Sequence, residues 1–184
     1  MPNENLNQNM DEFLEEWIAE MTQKAKSGDA EAQYELGWGY LVGEGVEKNP
    51  VQAEQWFLKA AEQGCVKAQC ELAWWYRNRD DLVKAAEWWR KAADQGDANA
   101  QVRLAACYML GHGVEKDLAQ AAQWYQKAAE QGDEWAQFKL VDFYANDIEV
   151  EPDFDKAVEW LQKAADQGDE DALELLEELE AEED

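Results

Sequence analysis

The sequence predicts an all-α fold, a solenoid of about four and a half helix-turn-helix repeats. Three observations predict it. The phrase Lys-Ala-Ala-(Glu/Asp)-Gln-Gly returns at Lys59–Gly64, Lys91–Gly96, Lys127–Gly132 and Lys163–Gly168. Counting Gly28 as the first of the series, the glycines step by 36, 32, 36 and 36 residues. The chain holds only three prolines and is rich in Ala, Leu, Glu, Gln and Lys, which favour helix.

The chain opens on an amphipathic stretch, residues 10–26, with Phe13, Leu14, Trp17, Ile18, Met21 and Ala25 on one side. It is expected to be a helix, the core of an N-terminal cap over residues 1–27 that covers the first repeat. Four repeats follow, at 28–63, 64–95, 96–131 and 132–167, and a half unit closes the chain over 168–184. Within each repeat an Ala stands four places after the glycine: Ala32, Ala68, Ala100, Ala136 and, in the half unit, Ala172. A Leu stands eight places after it: Leu36, Leu72, Leu104, Leu140 and Leu176. A Tyr stands twelve places after it: Tyr40, Tyr76, Tyr108 and Tyr144. Steps of four fall near one stripe, so these columns predict the buried face of a first helix.

A second helix follows in each repeat, with Asn49, Asp81, Asp117 and Asp153 as its N-caps and Pro50 suited to a first helical position. It carries Ala53, Ala85, Ala121 and Ala157, and three residues on Trp56, Trp88, Trp124 and Trp160, all expected in the core. The Ala pair completes the buried stripe, the Lys complements the helix dipole, and the glycine ends the helix in a left-handed conformation. The turn between the helices varies. It reads Gly43-Glu44-Gly45-Val46 and Gly111-His112-Gly113-Val114 in repeats one and three, is four residues shorter in repeat two, and becomes Asn146-Asp147-Ile148-Glu149-Val150 in repeat four. From Asp169 a last helix carries Leu173, Leu176 and Leu179 among acids, a terminal half repeat expected to be polar outside and to fray over Glu180–Asp184.

Charge is the strongest compositional constraint. The net charge is −26, distributed as −4 over 1–27, −5 over 28–63, +1 over 64–95, −1 over 96–131, −7 over 132–167 and −10 over 168–184. Such a surface disfavours nucleic acid and anionic bilayers and attracts basic protein. No membrane span or signal peptide is expected, which points to the cytoplasm. Cys65, Cys70 and Cys107 are odd in number and off the repeat, as reduced packing thiols would be. His112 is the one histidine, set between glycines in a turn, and neither a zinc site nor a catalytic pair can be assembled from it. The Gly-x-Gly turns lack the Lys-Ser/Thr of a phosphate loop. The alternating acids Asp147, Glu149, Glu151, Asp153 and Asp155 lack the central Gly and twelfth-position Glu of a calcium loop. No cofactor, metal or enzymatic activity is expected.

The stretch Gly-Asp-Ala-Glu-Ala-Gln-Tyr-Glu-Leu-Gly at 28–37 resembles the Sel-1-like repeat family, a relative of the tetratricopeptide repeats. So do the Gly-x-Gly-Val turns and the Ala-x-x-Trp-(Phe/Tyr)-x-Lys-Ala-Ala-(Glu/Asp)-Gln-Gly endings. The resemblance covers roughly residues 28–180. It implies a right-handed α/α superhelix that mediates protein–protein interaction, commonly as a bacterial adaptor or scaffold. Secreted members staple each hairpin with a disulfide, a pattern this chain does not carry.

In such a stack the first helices line the concave side. Their exposed column holds Glu31, Glu35 and Trp38 in repeat one, Glu71 and Trp74 in repeat two, Arg103 in repeat three, and Trp135 and Lys139 in repeat four. The packing pattern does not require Trp38, Trp74 or Trp135, and tryptophan is enriched at binding hot spots. These eight residues are the candidate groove for a basic protein or peptide, unless the three rings serve to fill gaps between first helices. The alternative is a stoichiometric inhibitor, such as an immunity protein that neutralises a basic toxin or nuclease through its acidic surface. The sequence defines no oligomeric state.

Overall fold

The structure, a computed structural model, describes residues 3–145 and 153–183, with side chains described at 14, 16–145 and 153–177. Among the described residues there are ten helices and no strand: α1 (Asn3–Lys26), α2 (Ala30–Val42), α3 (Pro50–Glu62), α4 (Val66–Arg77), α5 (Leu82–Asp94), α6 (Ala98–Leu110), α7 (Leu118–Glu130), α8 (Glu134–Ala145), α9 (Phe154–Asp166) and α10 (Glu170–Glu183). They form two compact units, Met1–Asp81 and Leu82–Asp184. In the first, α1 packs on α2, α2 on α3 and α3 on α4. In the second, each helix from α5 to α9 packs on its successor. The all-α fold of consecutive helix pairs is therefore the one the repeat predicts.

The expected stripe holds at offsets four and eight. Ala32, Ala68, Ala100 and Ala136 are buried, as are Leu36, Leu72, Leu104 and Leu140. It does not hold at offset twelve, where Tyr40, Tyr76, Tyr108 and Tyr144 are only half-buried. Four residues turn an α-helix by about 40° beyond a full turn, so the third step leaves the core. The hydroxyls use that exposure. Tyr76 donates to Glu54 at 3.1 Å, and Arg90 donates to the Tyr108 hydroxyl. Of the four repeat tryptophans, Trp88, Trp124 and Trp160 are buried, whereas Trp56 is half-buried against the cluster of Ala25, Ala32 and Leu36.

Helix ends are shared between repeats. Gly96, with φ 95°, supplies the left-handed residue after α5, and Asp97 then donates its N–H back to the Ala92 carbonyl. The Asp97 side chain accepts from the Ala100 N–H at 2.8 Å and so caps α6. Asp29, Asp133 and Asp169 act alike on Ala32, Ala136 and Ala172. Repeat two has Cys65 in this place, which makes no side-chain cap bond. The second helices start as expected, with Asn49, Asp117 and Asp153 accepting from the N–H three residues on, and α5 beginning just after Asp81.

A column of glutamines, unremarked in the sequence, joins successive repeats. Gln33, Gln69, Gln101 and Gln137 are all buried, each one place after the core Ala. Each donates through Nε2 to a carbonyl at the end of the preceding helix: Ala25, Ala61, Ala93 and Ala129, at 3.0–3.3 Å. Each of these carbonyls also accepts the N–H of the glycine three residues on, at 3.0–3.2 Å, so the glutamine supplies a second donor to a carbonyl of the last turn. Gln33 and Gln101 in turn accept from Gln63 and Gln131 at 2.7 and 2.8 Å. Gln137 has no such donor among the described residues, and its Oε1 is buried without a partner.

At the ends, α1 begins at Asn3, seven residues before the expected start, because neither Gly nor Pro interrupts residues 3–26. Leu14, Trp17, Ile18 and Met21 are half-buried and Ala25 is buried, whereas the Phe13 side chain lies outside the described residues. Gly45 in the first interhelical loop sits so close to α1 that an added Cβ would stand 2.6 Å from Ile18 Cγ1. The loop 146–150 lies outside the described residues. The backbone of α10 continues through Glu183, past the point at which fraying is expected. Its surface is also less polar than expected, because Leu173 and Leu175 are exposed.

Candidate functional site

In the first unit, α2 and α4 bring five of the eight candidate residues together. Glu31 on α2 and Lys67 on α4 form an exposed ion pair at 2.6 Å. It ties the N-terminal turns of the two first helices. Lys67 also lies over the Tyr34 ring at 5.5 Å, and its hydrogen bond and charge interaction with Glu31 raise its pKa. Tyr34 leans on Phe57 of α3, with ring centroids 5.8 Å apart. Trp38 meets the same ring edge-on at 6.3 Å. Phe57 is buried because α2 has a glycine where it crosses: a Cβ on Gly37 would stand 2.7 Å from the Phe57 ring. Trp38 is thus seated on the hairpin core and remains half-buried, with Glu35 half-buried one turn before it.

Glu71 and Trp74 lie one turn apart on α4, both half-buried. The Arg77 guanidinium lies 5.0 Å from the Trp74 ring centroid. Burial pushes the Glu71 carboxyl above the ordinary carboxylate range, and no cation among the described residues pairs with it. Burial likewise raises Tyr34; Trp38 opposes that shift, Glu71 and Glu35 add to it, and Lys67 opposes it weakly. Both carboxylates thus act on the one Tyr34 hydroxyl.

The second unit holds the other three. Trp135 is 57% exposed on α8 and stacks on Phe138 at 6.2 Å. The Lys139 ammonium lies 4.8 Å from the Trp135 ring and 5.6 Å from Phe138. Arg103 is exposed on α6. Sequence reading missed Phe138. Its signal is the sixth place after the glycine, the column of Tyr34, which neighbours the tryptophan column on the same helix face.

The phrase lysines also have a second role. Lys59, Lys91, Lys127 and Lys163 cover the rings of Trp56, Trp88, Trp124 and Trp160 at 3.7–4.0 Å. An ammonium over an indole face is an attractive contact, so these lysines shield the packing face rather than lie free. Among the described residues no group of acids, cysteines and histidine is placed to hold a metal ion. Of the alternating acids near residue 150, Asp153 caps α9 and pairs with Lys156 at 2.6 Å, and 147–151 lie outside the described residues. Cys107 is buried, Cys65 and Cys70 are half-buried, and His112 is exposed. No described helix is long and apolar enough to cross a membrane.

Helical hairpins repeated at this period, joined by shared caps and buried glutamines and presenting side chains on a helix face, define an α/α-repeat protein. The chain belongs to the Sel1 repeat family, whose repeat matches at residues 30–65, 66–97, 98–133 and 136–169. It is similar to a protective antigen of uropathogenic Escherichia coli that displays an SLR fold, at 39% identity and a TM-score of 0.72 over 82% of this chain. It is also similar to a Sel1 repeat protein from Oxalobacter formigenes, at 32% identity and a TM-score of 0.71 over 86% of this chain. The match spans 33% of the length of the first relative and 66% of the second. Among curated proteins none matches the chain. Sel1 repeats generally mediate protein–protein interactions and form a non-enzymatic scaffold family.

Proposed function

We propose that this chain is an interaction module, an adaptor or scaffold whose first-helix face takes a basic segment of a partner protein. Glu71 carries this reading. A half-buried carboxylate without a paired cation is held charged at a cost, and a partner Arg or Lys offsets that cost. Trp38 and Trp74 supply flanking aromatic area, and Glu31 and Glu35 extend the acidic side. Trp135 and Lys139, with Arg103, form a second candidate contact region in the other unit. The net charge of −26 supports a basic protein rather than nucleic acid or an anionic membrane. Both relatives are bacterial, which supports a bacterial source, and a cytoplasmic location is part of the same proposal.

A second reading is supported by the charges of −7 and −10 over 132–167 and 168–184: a stoichiometric inhibitor that neutralises a basic toxin or nuclease. Capture of partners from the native host separates the two. Several partners support an adaptor, and one basic partner bound with steep salt dependence supports an inhibitor. With a purified partner, E71Q and the pair W38A/W74A should weaken binding while circular dichroism shows the helices intact. If binding ignores salt and both variants, the groove assignment is wrong. If W38A/W74A unfolds the chain, those rings are packing elements, and E71Q alone decides.

A further inference from the structure

The acidic aromatic face of the first unit already holds a cation of its own. Lys67 Nζ stands 2.6 Å from Glu31 Oε1 and 5.5 Å from the Tyr34 ring centroid. Its pKa is raised first by the Glu31 hydrogen bond and charge and then by Tyr34 and Glu35, while burial opposes the shift. A carboxylate, an aromatic ring and a second carboxylate are what this face offers to a partner's base. Lys67 draws on all three from within the chain.

No feature of α4 favours a cation there. Lys67 is the second residue of the helix, beside an N-terminus whose dipole disfavours positive charge. That first turn has no acid, and the N-cap Cys65 makes no side-chain bond. The equivalent places in the other repeats are Glu31, Asn99 and Trp135, and none is basic. The pair spans 36 residues, one repeat, whereas Lys24 pairs with Glu20 and Lys156 with Asp153 four and three residues away. Its two side chains are 61% and 57% exposed, and an exposed ion pair contributes little to stability. A weak, solvated pair is one that a better cation displaces. Guanidinium is that cation: it meets a carboxylate through two donors, stacks on aromatic rings and is less strongly hydrated than ammonium. The Arg77 guanidinium, 5.0 Å from the Trp74 ring centroid, makes such an aromatic contact on α4.

We propose that Lys67 is a resident competitor: an arginine of the partner takes its place on Glu31 and Tyr34 while Lys67 swings into solvent. Binding is then an exchange of cations rather than a simple addition. The exchange rests on the reading of this face as the site for a basic segment, and it sharpens the partner's chemistry. A segment with one base pairs with Glu71 and leaves Lys67 in place, whereas a second base, an arginine, completes the exchange.

The test uses the full chain and a blocked peptide of alternating Arg and Ala. Titration calorimetry at one fixed ionic strength reads the affinity, and circular dichroism checks the fold. K67Q should bind the peptide about twofold to fivefold more tightly than the unsubstituted chain, the range set by one exposed ion pair. K67R keeps a competing cation and should bind no more tightly than the unsubstituted chain. E31Q/K67Q should bind no more tightly than E31Q, because the gain needs Glu31. A peptide of alternating Lys and Ala should bind more weakly than the Arg peptide. Unchanged or lower affinity in a folded K67Q overturns the proposal. So does a gain in K67R, equal binding of the Lys peptide, or a gain from K67Q that persists without Glu31, which would be an effect of net charge alone. If one of these results accompanies weakened binding in E71Q, the exchange falls and the basic-segment site stands. If the Arg peptide binds neither the unsubstituted chain nor K67Q, both fall together.

Discussion

Replacing Gln101 and Gln137 by Met, one at a time, should give unequal losses of stability although the two residues hold the same place in their repeats. Gln101 donates to the Ala93 carbonyl at 3.3 Å and accepts from Gln131 at 2.8 Å. Methionine removes both bonds at about 1 kcal/mol each, while the Ala93 carbonyl keeps the Gly96 N–H at 3.0 Å, so Q101M should cost about 2 kcal/mol. Gln137 donates to the Ala129 carbonyl at 3.2 Å, but its Oε1 is buried without a partner. Q137M removes one bond of about 1 kcal/mol from a carbonyl that keeps the Gly132 N–H at 3.0 Å, and it relieves that acceptor by about 1–3 kcal/mol, so the net cost should be about zero or slightly negative. The difference of about 2 kcal/mol corresponds to roughly 4–8 °C in melting temperature for a chain of this size. Urea and thermal unfolding followed by circular dichroism would measure it, with each unit's transition fitted if they separate. The double-mutant cycle Q101M/Q131A should return about 1 kcal/mol of coupling. Equal destabilisation by Q101M and Q137M would refute the reasoning, because it requires the Gln137 oxygen to be as well satisfied as that of Gln101.

Other expectations follow from single sites. C65D should stabilise the chain by about 0.5–1 kcal/mol in thermal melts, by giving α4 the cap bond that Asp29, Asp97, Asp133 and Asp169 give their helices. G113A should cost at least about 2 kcal/mol, since its Cβ falls on the Leu82 carbonyl, whereas G96A, with nothing within 4 Å, should cost only the left-handed penalty of about 1 kcal/mol. Burial raises the Glu71 pKa, so its contribution to folding is favourable below the ordinary carboxylate range and is lost as pH rises through the folded value. A basic ligand reverses the preference. Its affinity should fall as pH is lowered through that raised value, and E71Q should flatten this profile while changing neutral-pH stability by no more than about 0.5 kcal/mol.

The frame of the fold was legible because it recurs. Ala and Leu at offsets four and eight, the glycine stop and the second-helix caps each follow from local chemistry repeated four times. The tyrosines misled because spacing by four drifts off a helical stripe by the third step. The glutamine column recurs as strictly as the leucines, but a polar residue does not announce itself as core. Its burial is visible only once the preceding helix end is in place to accept from it. The candidates Glu35, Trp38, Glu71 and Trp74 were legible as residues left over once the packing residues are subtracted. Phe138 and the exposure of Leu173 were not, because both depend on which neighbour is present rather than on the residue itself.

The joint between repeats is closed by contacts in a fixed register: a glutamine, a carbonyl eight residues before it, and between them a glycine that a capping acid follows everywhere but at Cys65. Length varies elsewhere, as the shorter turn of repeat two shows. Such a chain can be lengthened or shortened by recombination between its own copies. A crossover at equivalent glycines removes a whole block and rebuilds the same joint from the two ends it leaves. A change of one or two residues near that glycine has no equivalent repair. Gain and loss of complete blocks is therefore the route by which this architecture can alter its reach without refolding.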